Sequence, residues 1–215
     1  RSTLFPYTTL FRSGRRGSMI ACSAAAGPAL EGASIAQGMR AIPGAIEQIR
    51  IVDQEVRFVA IGGIPPVGIC GSGIIDAAAE LLRTGVMDYS GRLLSSKQYR
   101  SKHPDSLLAD RIREGRHGRE FVLVLREDAP DIVLTQRDIR SIQLAKGAIA
   151  AGEVLLMRHA GVHAAQLDRV ILAGAFGNDI RRESAVAIGL IPALPLNRID
   201  RKSTRLNSSH GRRSR

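Results

Sequence analysis

The sequence runs to 215 residues, enough for one domain with its own core or for part of a larger one. It has 31 Lys and Arg against 20 Asp and Glu, a net charge of +11, with no tryptophan and no apolar run long enough to cross a bilayer. Two cysteines, Cys22 and Cys70, are too few for a disulfide framework; with no visible signal peptide they point to a reducing, cytoplasmic setting.

The chain opens on RSTLFPYTTLFRS, Arg1–Ser13, which shows neither amphipathic period nor turn logic; DRKSTRLNSSH at Asp200–His210 reads the same way. Both stretches resemble in-frame translations of common short-read sequencing adapters, through eleven consecutive residues each, Thr3–Ser13 and Asp200–His210. The sequence therefore divides into residues 1–13, a body at 14–199, and a tail at 200–215, and the two ends are set aside from the fold. Those ends hold 8 of the basic residues and 1 of the acidic ones, leaving 23 against 19 in the body. A pI near 10.9 ordinarily points to nucleic acid or an anionic membrane. With the excess charge concentrated in the ends, neither is expected as a partner.

In the body, Met19–Cys22 forms a short strand, and small residues then lead into a helix that Pro28 is suited to open. Two β-rich runs, Ile46–Val52 and Val56–Ile61, flank DQE as a hairpin. PPVGIC feeds a helix whose apolar positions Ile74, Ile75, Ala78, Leu81 and Leu82 follow helical spacing, with Gly85 at its C-terminal cap. Asp88–Glu120, rich in Arg, Ser, Lys and His, reads as a solvated insertion. EFVLVLRE and DIVLT are strands. Thr135 and Asp138 then give a capping-type start to a long helix with Ile139, Ile142, Ala145, Ile149, Gly152 and Leu156 on one face. RVILAG reads as a buried strand, and DIRRESAVAIGL as a helix stopped near Gly189. Strands alternating with helices predict an α/β fold with ligands at the strand carboxyl ends.

Three glycine-rich junctions lead into helices: CSAAAGPALEG (Cys22–Gly32), GICGSG (Gly68–Gly73) and AGAFGND (Ala173–Asp179). Backbone N–H groups at such junctions suit an anion, although a tight turn or close packing also explains any one of them. Three together favour a nucleotide or phosphate ligand. Asp76 and Glu80, with Arg83, read as a solvated helix face. His159 and His163 are spaced as a metal pair, but Gly161 ends the helix between them and no third ligand is near in sequence, so no metal site is assigned.

Four blocks, CSAAAGPALEGASIAQGMRAIPGAI, GICGSGIIDAAAELLRTGVMD, LTQRDIRSIQLAKGAIAAGEVLL and VILAGAFGNDIRRESAVAIGLIP, closely resemble the reductive activators of corrinoid proteins. The resemblance runs over Ser18–Ile199 and is weakest in Arg100–Gly118. It implies the C-terminal part of an actin-like (ribonuclease H-like) ATPase domain of the acetate and sugar kinase, heat-shock protein and actin class (ASKHA), a mixed sheet with flanking helices. It further implies ATP and magnesium as cofactors and a corrinoid (iron–sulfur) protein as partner, ATP hydrolysis helping to return cobalt from Co(II) to Co(I). A homodimer is compatible with this.

By the same resemblance, Ala26, Gly27 and Glu31 neighbour the nucleotide, and Gly71, Ser72 and Gly73 either do so or form a subdomain connection. Gly174, Ala175 and Gly177 lie against the adenosine; Asn178 contacts or shapes its site, and Phe176 either does the same or anchors the core behind the loop. Lys146 either reaches the adenosine side or is simply solvated. Relatives carry phosphate-holding Asp-Ile-Gly-Thr hairpins ahead of the first block, and this sequence shows none; its two cysteines cannot supply four iron–sulfur ligands. A partial ATPase domain is expected, with the cluster in another domain. A small-metabolite kinase of the same fold and a basic nucleic-acid-binding module are the alternatives.

Overall fold

The computed structural model describes residues 8–15, 18–116, 118–173 and 179–202. Strands β1 (Thr8–Arg15) and β2 (Ser18–Ala25) form an antiparallel hairpin, from Thr8 opposite Ala25 to Arg15 opposite Ser18. At the other end β10 (Ile199–Lys202) runs parallel to β9 (Val170–Ala173). Parts of both segments set aside on sequence grounds thus take part in strand pairing. Backbone N–H and C=O groups carry such pairing, so it does not require the side-chain period those segments lack.

β3 (Ala45–Val52) and β4 (Glu55–Ala60) meet at a two-residue turn in which Asp53 and Gln54 have φ of +51° and +66°. That is the mirror-image geometry that matches the twist of paired strands. β5 (Gly68–Ile69) adds to the far side of β3, in parallel, at Ala45 and Ile46 only. The order is β4-β3-β5.

Helix α1 (Gly71–Arg83) packs on β3. Ile74, Ile75, Ala78 and Leu81 are buried, as their spacing predicts, Leu82 is half-buried, and Gly85 (φ +73°) follows the last turn.

Asp88–Glu120 is not the solvated insertion its composition suggests. It contains α2 (Ser96–Lys102), which starts with a reciprocal Ser95/Gln98 cap, then a 3-10 turn at Leu107–Arg111 and strand β6 (Ile112–Gly115). Leu93, Leu94, Tyr99, Leu108, Ala109 and Ile112 are its buried anchors. They follow no single period, so a reading by periodicity passes over them.

β6, β7 (Gly118–Val124) and β8 (Ile132–Thr135) form an antiparallel sheet in that order. α3 (Gln136–Ala160) follows directly. Its start is the predicted one: the Thr135 hydroxyl accepts from the Asp138 N–H at 3.1 Å, and the Asp138 carboxylate accepts from the Thr135 N–H at 2.9 Å. Ile139, Ile142, Ala145, Ile149, Gly152 and Leu156 are all buried along one face, which lies on β1 and β2. β9 is half-exposed rather than buried: Ile171 is open, while Val170 and Leu172 are partly covered. α4 (Arg182–Ala187) packs against α1 and gives way to Gly189 in a left-handed conformation.

Gln37 joins the two three-stranded sheets. Its carbonyl accepts from the Ile69 N–H at 2.9 Å on β5. Its side-chain amide pairs with the edge of β8, donating to the Asp131 carbonyl (2.7 Å) and accepting from the Val133 N–H (2.6 Å). A hydrophobic core, from Leu30 through Ile46, Ile74, Phe121 and Ile139 to Leu194, joins helices α1–α4 with β3 and β5–β8. Among the described residues, no helix is long and apolar enough to cross a membrane.

Candidate nucleotide-binding site

The first glycine-rich junction leaves β2 at Ala25. Ala26 is buried, and Gly27, at φ +69°, has open space where a Cβ would stand. The helix that Pro28 was expected to open is a single 3-10 turn, Ala29–Glu31, closed by Gly32 at φ +85°. What stops it is a self-contact of the loop: a Cβ on Gly38 would lie 2.0 Å from the Gly32 carbonyl oxygen. Only glycine at both positions lets these backbones meet. Glu31 projects into solvent from the turn, which packs against both α1 and α3. The chain then pairs with β5, the Met39 N–H donating to the Ile69 carbonyl at 2.9 Å. First and second junctions are therefore held side by side.

At the second junction Gly71, Ser72 and Gly73 form the first turn of α1, and all three are buried. A Cβ on Gly73 would stand 2.3 Å from the Ile46 carbonyl oxygen, so close packing of α1 on β3 accounts for this glycine. Cys70 donates to the Ile46 carbonyl (3.3 Å) and lies 3.4 Å from the Ser72 hydroxyl. The other thiol, Cys22, donates to the Gly152 carbonyl at 3.5 Å.

The next turns of α1 overturn the solvated reading of Asp76 and Glu80, which are 1% and 3% exposed. β5 ends at Ile69, so β3 has an open edge beyond Ile46, and the two carboxylates fill it. Asp76 accepts from the Ile49 N–H (3.2 Å) and Glu80 from the Ile51 N–H (2.9 Å). The rise of four residues in a helix, about 6 Å, nearly matches that of two residues in a strand. Guanidinium groups meet the intervening carbonyls: Arg83 donates to Ile51 at 2.6 Å and Arg181 to Ile49 at 3.4 Å. Burial pushes the Asp76 carboxyl above its usual range; the Ser184 hydroxyl, the Arg181 charge and the Ile49 N–H oppose that rise.

Of the third junction, Ala173 ends β9 and Asp179 lies just before α4, while Gly174, Ala175, Phe176, Gly177 and Asn178 lie outside the described residues. Lys146 sits half-buried on α3 with its ammonium over Gly189: a Cβ built there would be 3.2 Å from Nζ. It thus faces the carboxyl end of α4, where a cation is favoured. His159 and His163 are both exposed, and among the described residues no group of three or more His, Cys, Asp or Glu is placed to hold a metal. Sequence reasoning missed the Asp76–Ser184–Arg181 contact; Ser184 lies 108 residues from Asp76, and no local spacing signals such a pairing.

Residues 12–207 match the family described as the C-terminal domain of RACo, the ASKHA domain. This chain is a member of the RACo C-terminal ASKHA-domain family. A solved structure titled "Reductive activator for corrinoid, iron-sulfur protein" has 38% sequence identity with this RACo-type domain and a TM-score of 0.79, covering 91% of this chain and 30% of that one. The corrinoid activation enzyme RamQ of Eubacterium limosum is 39% identical over 176 residues, 80% of this chain and 29% of its own length. A Methanosarcina barkeri reductase described as specific for the Co(II) methylated amine-specific corrinoid protein is 28% identical over 196 residues, 81% of this chain and 31% of its own. The chain thus spans just under a third of the length of these relatives.

Proposed function

We propose that this chain is the nucleotide-binding part of an ATP-dependent reductive activator that restores Co(I) in a corrinoid protein, acting in the cytoplasm. The observation that carries this reading is likeness to corrinoid activators over 80% and 91% of the chain. Local geometry supports it, since the turn that follows Gly27 and ends at Glu31 packs on α1, where Gly71–Gly73 begin the helix, and on α3, where Lys146 sits. In this reading Gly174–Asn178, which lie outside the described residues, belong to the adenosine site, and residues 14–199 are the domain proper, flanked by adapter-derived ends.

Among the described residues, the carboxylates at and beside these junctions do not fit magnesium. Asp76, Glu80 and Asp138 are committed to backbone N–H groups, and Glu31 stands alone in solvent. Nor do the two cysteines fit an iron–sulfur cluster, because their thiols are spent on backbone carbonyls and four ligands are required.

Calorimetric titration of the chain with ADP, and then with a corrinoid protein poised as Co(II) or Co(I), tests the reading. Binding of ADP together with preference for the Co(II) form is the expected result. Absence of heat with millimolar ADP sinks the nucleotide assignment, and equal affinity for both cobalt states sinks the activator assignment.

A further inference from the structure

The sheet ordered β4-β3-β5 has two unlike edges. On one, the backbone groups of β3 beyond Ile46 are taken up by Asp76, Glu80, Arg83 and Arg181. The other is β4, Glu55–Ala60. Across a two-residue turn the flanking pair, Val52 and Glu55, exchanges both backbone hydrogen bonds, and bonded and non-bonded pairs alternate from there. Arg50 and Arg57 form the next bonded pair, so the N–H and C=O groups of Val56 and Phe58 point away from β3. Among the described residues, nothing hydrogen-bonds to them.

Proline, or a helix or loop laid alongside, commonly closes such an edge. β4 contains no proline, and its one mid-strand cation, Arg57, is ion-paired with Glu55 at 3.6 Å. Apolar side chains stand open along the strand: Phe58 is 38% and Val59 48% exposed.

A strand of the same sequence can be laid antiparallel on this edge in few registers, because opposed residues must share a face and outward-pointing groups must meet each other. Centred on Arg57, the pairing sets two guanidinium groups directly opposite each other at the closer, non-bonded spacing, which is unfavourable. Centred on Val56, it runs at once into the turn at Asp53 and Gln54. Centred on Phe58, it uses the whole strand. Phe58 then exchanges both bonds with its counterpart, Val56 falls opposite Ala60, and Arg57 falls opposite Val59 rather than a like charge. The two Phe58 rings meet on the face that also holds Ile49.

We propose that β4 is a self-association edge: two copies of this chain join antiparallel through Val56–Ala60, about a two-fold axis at Phe58, and their three-stranded sheets become one. The contact is isologous, so it satisfies both edges at once and leaves neither open to a third copy.

The axis makes the test specific, because residue 58 faces itself. Sedimentation equilibrium of the chain across micromolar concentrations is expected to show a species of twice the chain mass. Phe58→Lys and Phe58→Glu should each weaken association at least tenfold, since each sets two like charges opposite each other. An equal mixture of the two variants should restore the double-mass species. A wild-type chain that stays monomeric overturns the proposal. Variants that remain dimeric place the interface elsewhere, and a mixture that stays monomeric overturns the register. Should either variant lose its far-ultraviolet circular dichroism, Phe58→Cys replaces them. Bonded partners in an antiparallel pair stand at a spacing a disulfide can bridge, so mild oxidation should cross-link Phe58→Cys beyond the level of the unsubstituted chain. Arg57→Cys, diagonal across the axis, should not cross-link. No gain with Phe58→Cys, or an equal gain with Arg57→Cys, counts against the axis.

Discussion

Helix α1 is buried from Gly71 through Leu81, its carboxylates included, whereas α3 buries one stripe and leaves Leu144 76% and Leu155 63% exposed. Both helices are rich in alanine and aliphatic residues, so composition does not separate them. The neighbours do. α1 lies between β3 and α4, and both carboxylates it buries, Asp76 and Glu80, have partners on one or both of them. Residues 147–157 of α3, GAIAAGEVLLM, are apolar on nearly all sides, yet only one face meets β1 and β2. A helix apolar all round normally has cover on every side. The contrast teaches that burial in this domain follows the geometry of what lies opposite rather than the hydrophobicity of the helix.

Asp76→Ala is expected to break the α1 side most severely, by about 3–5 kcal/mol in urea unfolding, because it strands the Ile49 N–H, the Ser184 hydroxyl and a mostly buried Arg181. A loss below about 1 kcal/mol would remove α1 from its place in the comparison. Gly73→Ala should cost about 2–3 kcal/mol by forcing α1 away from the Ile46 carbonyl; a variant with an unchanged melting temperature would refute the close approach.

On α3 the informative residue is Glu153, the only ionisable group in that apolar run, whose carboxyl burial pushes up to about 7. Its folded value lies above the unfolded 4.5, so between those values the folded state holds the extra proton and stability falls as pH rises. Glu153→Gln should flatten that decline, raising stability at pH 8 relative to pH 5 by about 2 kcal/mol against wild type, allowing for its partly exposed setting. Parallel pH curves would show Glu153 to be solvated. The smallest effect is expected at Leu155→Lys, within about 0.5 kcal/mol of wild type. A larger loss would mean that the outer face of α3 is covered in solution.

The two helices also mark what was legible in the sequence. Both apolar faces, and the Thr135 and Asp138 cap, could be read directly, because helical period and capping are local. The corrinoid-activator resemblance followed from blocks of sequence, and the match over residues 12–207 agrees with it. Asp76 and Glu80 were misread because carboxylates four apart look alike whether they face water or two strand N–H groups. The helix expected after Pro28 failed because the Gly32–Gly38 approach, a tertiary contact, ends it after one turn. Tyr99 and Leu108 were hidden among charged neighbours whose ion pairs, Arg100 with Asp110 among them, lie on the surface around a buried anchor.

An unpaired strand edge is a template on which another chain can add itself, the first step toward fibrils. β3 beyond Ile46 is such an edge in its backbone alone, flanked by the β-rich run IRIV. With carboxylates on its N–H groups and guanidinium groups on its carbonyls, it offers an incoming strand nothing to bind. Loss of Asp76 would therefore do more than lower stability: it would uncover a growth point for aggregation in a molecule still largely folded.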